Sequence, residues 1–112
     1  MSTLLITVAR FRRDGEEARR QYVAGVMPLI AAAGGEVVSR GRPQETVVGD
    51  AADQPDLVAV MRFPRPEAVR SFLESEAYRA QVGFRNRAFE DVRSYIAEDL
   101  MAVPVETPAP CR

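Results

Sequence analysis

A chain of 112 residues fits one domain with one hydrophobic core. Its hydrophobic share of 46% beside 28% charged residues is ordinary for a globular protein and argues against low-complexity disorder over most of its length. The formal net charge of −1 provides no basic face for nucleic acid. The arginines that do cluster (Arg10, Arg12, Arg13, Arg19 and Arg20) are interleaved with Glu16 and Glu17 and read as a solvated face.

The missing residue types narrow the chemistry further. All 15 basic residues are arginine, and the chain has no Lys, no His and no Trp. Without Lys there is no Schiff-base nucleophile, which excludes lysine aldolases and pyridoxal phosphate enzymes. Lack of His removes the commonest general base near neutral pH and the commonest transition-metal ligand. The single Cys111, second from the end, forms no intramolecular disulfide or thiolate cluster. We therefore expect no metal and no organic cofactor, with acid–base work resting on carboxylates, tyrosines or water. Apolar runs such as Leu4 to Ala9 are too short to span a bilayer, and Met1-Ser2-Thr3 leads straight into a strand-like segment. A cytoplasmic protein with no membrane partner is the expectation.

Leu4-Leu5-Ile6-Thr7-Val8-Ala9 has the near-continuous apolar pattern of a strand buried on both faces. Asp14 followed by Gly15-Glu16-Glu17 predicts an N-cap carboxylate and an acidic first turn. Ala18, Tyr22, Val26, Leu29, Ile30 and Ala33 then recur at helical spacing, with Pro28 as an expected kink and Gly34-Gly35 as the stop. A second strand is predicted around Glu36 to Arg40, extended by a short one around Glu45 to Val48, before an exposed loop from Gly49 to Asp56. Leu57 to Met61 with Phe63 forms the third main strand, and Pro66 opens a helix carrying Ala68, Val69, Phe72 and Leu73 on one side. Ser75 is placed to cap a further helical segment from Glu76 to about Ala88, and a last strand runs from Val92 to about Glu98. The domain thus spans residues 1–100, and 101–112 form a Pro-rich tail.

The resulting order, β-α-β-β-α-β, is that of an α+β ferredoxin-like sandwich: one sheet with two helices on one face. Strands one and three are nevertheless apolar on both faces. Both helices are needed on the first face, so a second copy of the chain is the simplest cover for the other. A homodimer is expected.

Pro28-Leu29-Ile30 through Gly34-Gly35, Arg40-Gly41, Val48-Gly49-Asp50, Phe63-Pro64, Glu67-Ala68 and Ser75-x-x-Tyr78 occur in one order and spacing. Together they resemble the domain-of-unknown-function 1330 family of the dimeric α+β barrel superfamily, over roughly Tyr22 to Ala88. The chain departs from that pattern at Arg42, Leu73 and Glu76. The resemblance implies a pocket between sheet and helices. It also implies relatives that include cofactor-free monooxygenases, polyketide cyclases and isomerases.

Within that frame a few side chains stand out. Tyr78, Val82, Arg85 and Phe89 fall on one face of a continuous helix, which places an arginine on an apolar stripe. Such a charge needs an anionic partner. The partner is either a ligand carboxylate or enolate, or a structural acid such as Glu36 or Glu98; alternatively the side chain snorkels to solvent. Arg40, ending the second strand, reaches either into the pocket or across the dimer interface. Tyr22 lies on the buried stripe of the first helix, and its hydroxyl needs a partner, either a ligand or the backbone. Phe63 and Phe72 belong to the core or to the pocket wall. The candidate ligand-binding set is therefore Tyr22, Arg40, Phe63, Phe72, Tyr78 and Arg85, for a small organic molecule with an anionic or enolic group; the alternative is a non-catalytic binding or assembly module in which Arg85 is structural. Glu16-Glu17, Glu90-Asp91 and Glu98-Asp99 are adjacent residues pointing in different directions, hence surface charge rather than acid–base dyads.

Overall fold

The computed structural model describes residues 2–101, so the Pro-rich tail from 102 onward lies outside the described residues. Four strands, β1 (Thr3–Phe11), β2 (Glu36–Gly41), β3 (Leu57–Phe63) and β4 (Phe89–Glu98), form one antiparallel sheet in the order β2-β3-β1-β4. The helices are α1 (Glu16–Ala32) between β1 and β2, and α2 (Pro66–Glu74), α3 (Glu76–Arg79) and α4 (Val82–Ala88) between β3 and β4. This is the expected ferredoxin-like arrangement.

Side-chain alternation assigns the two faces. Leu5, Ala59, Met61 and Phe63 pack with Val26 and Ile30 of α1, Val69 and Phe72 of α2, and Tyr78 of α3. Ala9, Ala88 and Phe89 make a smaller cluster at the other end of the sheet. The opposite face carries the row Val60–Ile6–Tyr95, aligned across three strands, and no helix among the described residues lies over it.

Three local expectations are revised. Asp14 is not the N-cap of α1; Gly15 is, without a side-chain cap. A Cβ at Gly15 would come 2.7 Å from the Arg87 carbonyl oxygen, so the helix start is set by close packing on the end of α4. Residues 45–48 form no strand. They belong to a loop pinned by hydrogen bonds from Thr46 Oγ1 to Gln54 Oε1 (2.6 Å) and from Gln54 Nε2 to the Pro43 carbonyl (3.3 Å). The segment from Glu76 is not one helix: it breaks at Ala80-Gln81, and β4 starts at Phe89, earlier than Val92. Pro28 lies inside α1, which runs on to Ala32.

The stop of α1 follows its glycines. Gly34 adopts φ 83°, and the N–H groups of Gly34 and Gly35 donate to the carbonyls of Ala31 (3.0 Å) and Ile30 (2.8 Å). That is the paired closure that glycine at the left-handed position permits. At Ser75 the hydroxyl donates to the Phe72 carbonyl (2.8 Å) and accepts from the Tyr78 N–H (3.1 Å). One side chain thus joins the end of α2 to the start of α3 and fixes the direction of Tyr78.

Candidate functional site

The helices do not fill the space above the sheet. A cavity of about 550 Å³ lies between them, within the range typical of small-molecule sites. Its floor comes from the helix-facing side of β1, β3 and β4, and its walls from α1, Phe72, Leu73, Tyr78 and α4. The lining is mainly apolar, with a few polar groups.

Three of those polar groups touch. The hydroxyls of Tyr22 and Tyr78 lie 2.9 Å apart, and Arg85 Nη1 donates to Tyr78 Oη at 3.2 Å. The rings are held by neighbours: Tyr22 stands edge-on to Phe89, with centroids 5.7 Å apart, and Phe72 packs on Tyr78 at 5.2 Å. Burial pushes the Tyr22 hydroxyl well above the usual phenol range, its hydrogen bond to Tyr78 adds to the rise, and the Arg85 charge offsets part of it. Tyr22 is therefore a neutral donor or acceptor, not a phenolate base. Two hydroxyls joined by one hydrogen bond spend one of their two hydrogens. Whichever way that bond runs, one phenolic O–H remains to donate, beside the unused N–H groups of Arg85.

Among the described residues no carboxylate lies within ion-pair distance of Arg85; its side-chain hydrogen bond goes to Tyr78. The two acids weighed as structural partners are elsewhere. Glu36 pairs with Arg62 at 3.3 Å, and Glu98 is exposed at the far end of β4, opposite Thr3. The helical repeat that suggested the Tyr78–Arg85 pairing is interrupted, yet the turn at Ala80-Gln81 leaves the two side chains in contact. Phe89 is carried by β4 instead.

Arg40 also lines the cavity. Strict alternation from Val37 would put it on the opposite face. The register of β2 against β3 slips between Val37 and Ser39, leaving Val38 as a bulge, so Arg40 aligns with the inward residue Ala59. Phe72 borders the cavity, whereas Phe63, 1% exposed, sits behind it in the core with ring centroids 5.9 Å apart. Sequence reasoning missed Thr7 and Ser94. Both line the cavity floor, with hydroxyls 2.9 Å apart across the β1–β4 pairing. A cross-strand pair leaves no signal in either strand alone.

The clustered arginines near the N-terminus are engaged locally. Arg10 donates to the Ala52 carbonyl (2.6 Å), Arg12 to the Asn86 carbonyl (2.8 Å), and Arg19 stacks over Phe11 at 4.0 Å. Among the described residues no group of three or more His, Cys, Asp or Glu side chains is placed to hold a metal ion, and no helix is long and apolar enough to cross a membrane.

The family described as "Domain of unknown function (DUF1330)" matches residues 6–100. No curated protein matches significantly. Among solved structures, a protein of unknown function from Rhodopseudomonas palustris superposes with a TM-score of 0.79 at 24% identity, covering 88% of this chain and 82% of its own. A dimeric ferredoxin-like protein of unknown function from Thermobifida fusca gives a TM-score of 0.59 at 17% identity over 86% and 89%. A hydroxynitrile lyase from Passiflora edulis gives 0.69 at 17% identity over 92% and 97%. These likenesses establish the fold.

Proposed function

The chain belongs to the DUF1330 family, and we propose that it is a small-molecule-binding protein that acts, without a cofactor, on a partly apolar substrate bearing an anionic or enolic group. The observation that carries this reading is the Arg85–Tyr78–Tyr22 hydrogen-bonded chain on the wall of the 550 Å³ cavity. A guanidinium with no carboxylate partner among the described residues, beside an unspent phenolic hydrogen, is complementary to an oxyanion. Phe72 and the aliphatic floor take the apolar body.

In the reaction these donors would stabilise charge that grows on a carbonyl oxygen as an enolate or alkoxide forms. Tyr22, kept neutral by burial, supplies a hydrogen bond or a proton rather than removing one. The chemistry is therefore positioning and electrostatic stabilisation of an already activated substrate, as in cyclisation, isomerisation or oxygenation. The Passiflora edulis hydroxynitrile lyase gives one precedent for an enzyme on this fold.

The working unit of this reading is a cytoplasmic homodimer. Leu4, Ile6, Val8, Val58 and Val60 leave the outer sheet face apolar, Tyr95 on it is 51% exposed, and no helix among the described residues covers it. The Thermobifida fusca neighbour is described as dimeric.

The test is Arg85→Met, followed by thermal melts with and without octanoate as an apolar anion. Binding should be lost. Stability should not show the roughly 3–5 kcal/mol penalty of breaking a buried ion pair. A penalty of that size with octanoate binding retained would return Arg85 to a structural role.

A further inference from the structure

The cavity has a second set of polar groups, on its sheet floor rather than its helical walls. Arg40, Ala59, Thr7 and Ser94 align as one row over β2, β3, β1 and β4, and all four line the floor. Ala59 is small, so the row is a shallow trough with a guanidinium at one end and two hydroxyls at the other. Thr7 and Ser94 share one hydrogen bond (2.9 Å), which leaves one hydroxyl hydrogen to donate upward. Neighbouring strands are about 4.8 Å apart, so the long Arg40 side chain can lean across Ala59 toward the same group.

The charges bordering the cavity are Arg12, Arg40, Arg85, Glu90 and Asp91. Arg12 is tied to the Asn86 carbonyl, and Asp91 pairs with Arg93 at 3.3 Å. Arg40 makes no side-chain hydrogen bond or ion pair among the described residues, and the bulge at Val38 is what turns it inward. Bulges beside sites commonly re-aim a side chain.

Resting on the oxyanion-binding reading of the Arg85 pole, we infer that the ligand is bifunctional. One acidic oxygen group sits at Arg85 and Tyr78, and a second, carboxylate-like, sits on the Arg40–Thr7–Ser94 row, with an apolar body between. Arg40 is then the residue that selects for the second group.

Calorimetric titration with matched acids tests this: adipate, suberate and sebacate against hexanoate, octanoate and decanoate. Without a second pole the extra carboxylate must be desolvated unaided, and each dicarboxylate should bind worse than its monoacid. With one, at least one chain length should favour the dicarboxylate by about tenfold, the value of one charge-assisted contact at a partly exposed site. That ratio should fall to one or below in Arg40→Met. Monoacids that bind while no dicarboxylate gains, or a gain that survives Arg40→Met, would overturn the bifunctional ligand and leave the Arg85 site standing. Failure of all six acids to bind would remove both.

Discussion

Tyr22 carries a pH dependence whose sign is fixed by its surroundings. Burial favours the neutral phenol and the Tyr78 hydrogen bond reinforces it, so the folded-state pKa lies above the unfolded one. The contribution is fully present below the unfolded value, near 10. Above it the unfolded chain ionises first, and stability is lost as pH rises toward the folded value. Denaturant melts from about pH 8 to about pH 11 should show a decline that is shallower in Tyr22→Phe; equal slopes in the two proteins would mean that other groups govern it.

Close contacts between elements fix the site walls. Where α1 begins, Gly15 meets backbone carbonyls of Arg87 and Ala88 at 2.7 and 2.9 Å from any added Cβ. No side chain can swing away to make room. Gly15→Ala should lower stability by about 1–3 kcal/mol and disturb the seat of α4, which carries Arg85. Gly41→Ala is the control: nothing lies within 4 Å of its Cβ position, and the change should stay within about 0.5 kcal/mol. Melts followed by circular dichroism distinguish the two, and equal effects would show that the Gly15 contact relaxes. The break between α3 and α4 is a comparable device. It lets Tyr78 stay beneath the Ser75 cap while Phe89 enters the sheet.

At the scale of the molecule, the apolar outer sheet face carries the proposed dimer. Val60, Ile6 and Tyr95 form its central row. Light scattering at micromolar concentration should give about twice the chain mass, as the commonest closed symmetry requires. Val60→Asp, which puts a charge in the middle of that face, should yield a monomer with the cavity residues unchanged in position. A dimer that withstands Val60→Asp would place the interface elsewhere.

Apolar run lengths, the Gly34-Gly35 stop, Pro66 at a helix start and the Ser75 cap were legible in the sequence, because each acts through its own few neighbours. From them followed the βαββαβ order and the two-sided strands, while the family was a resemblance carried by the order and spacing of the motifs between Pro28 and Tyr78. The tyrosines and Arg85 were recognisable as polar groups on apolar stripes, though the stripe itself assumed a helix that breaks at Ala80-Gln81. What the tertiary structure decided depends on register between distant segments. The slip at Val38 turns Arg40 inward, the β1–β4 pairing brings Thr7 to Ser94, and Phe63 lies behind Phe72 rather than beside the cavity. Alternation along one strand says which residues share a face. Only the partner strand says which face that is, and where the count is interrupted.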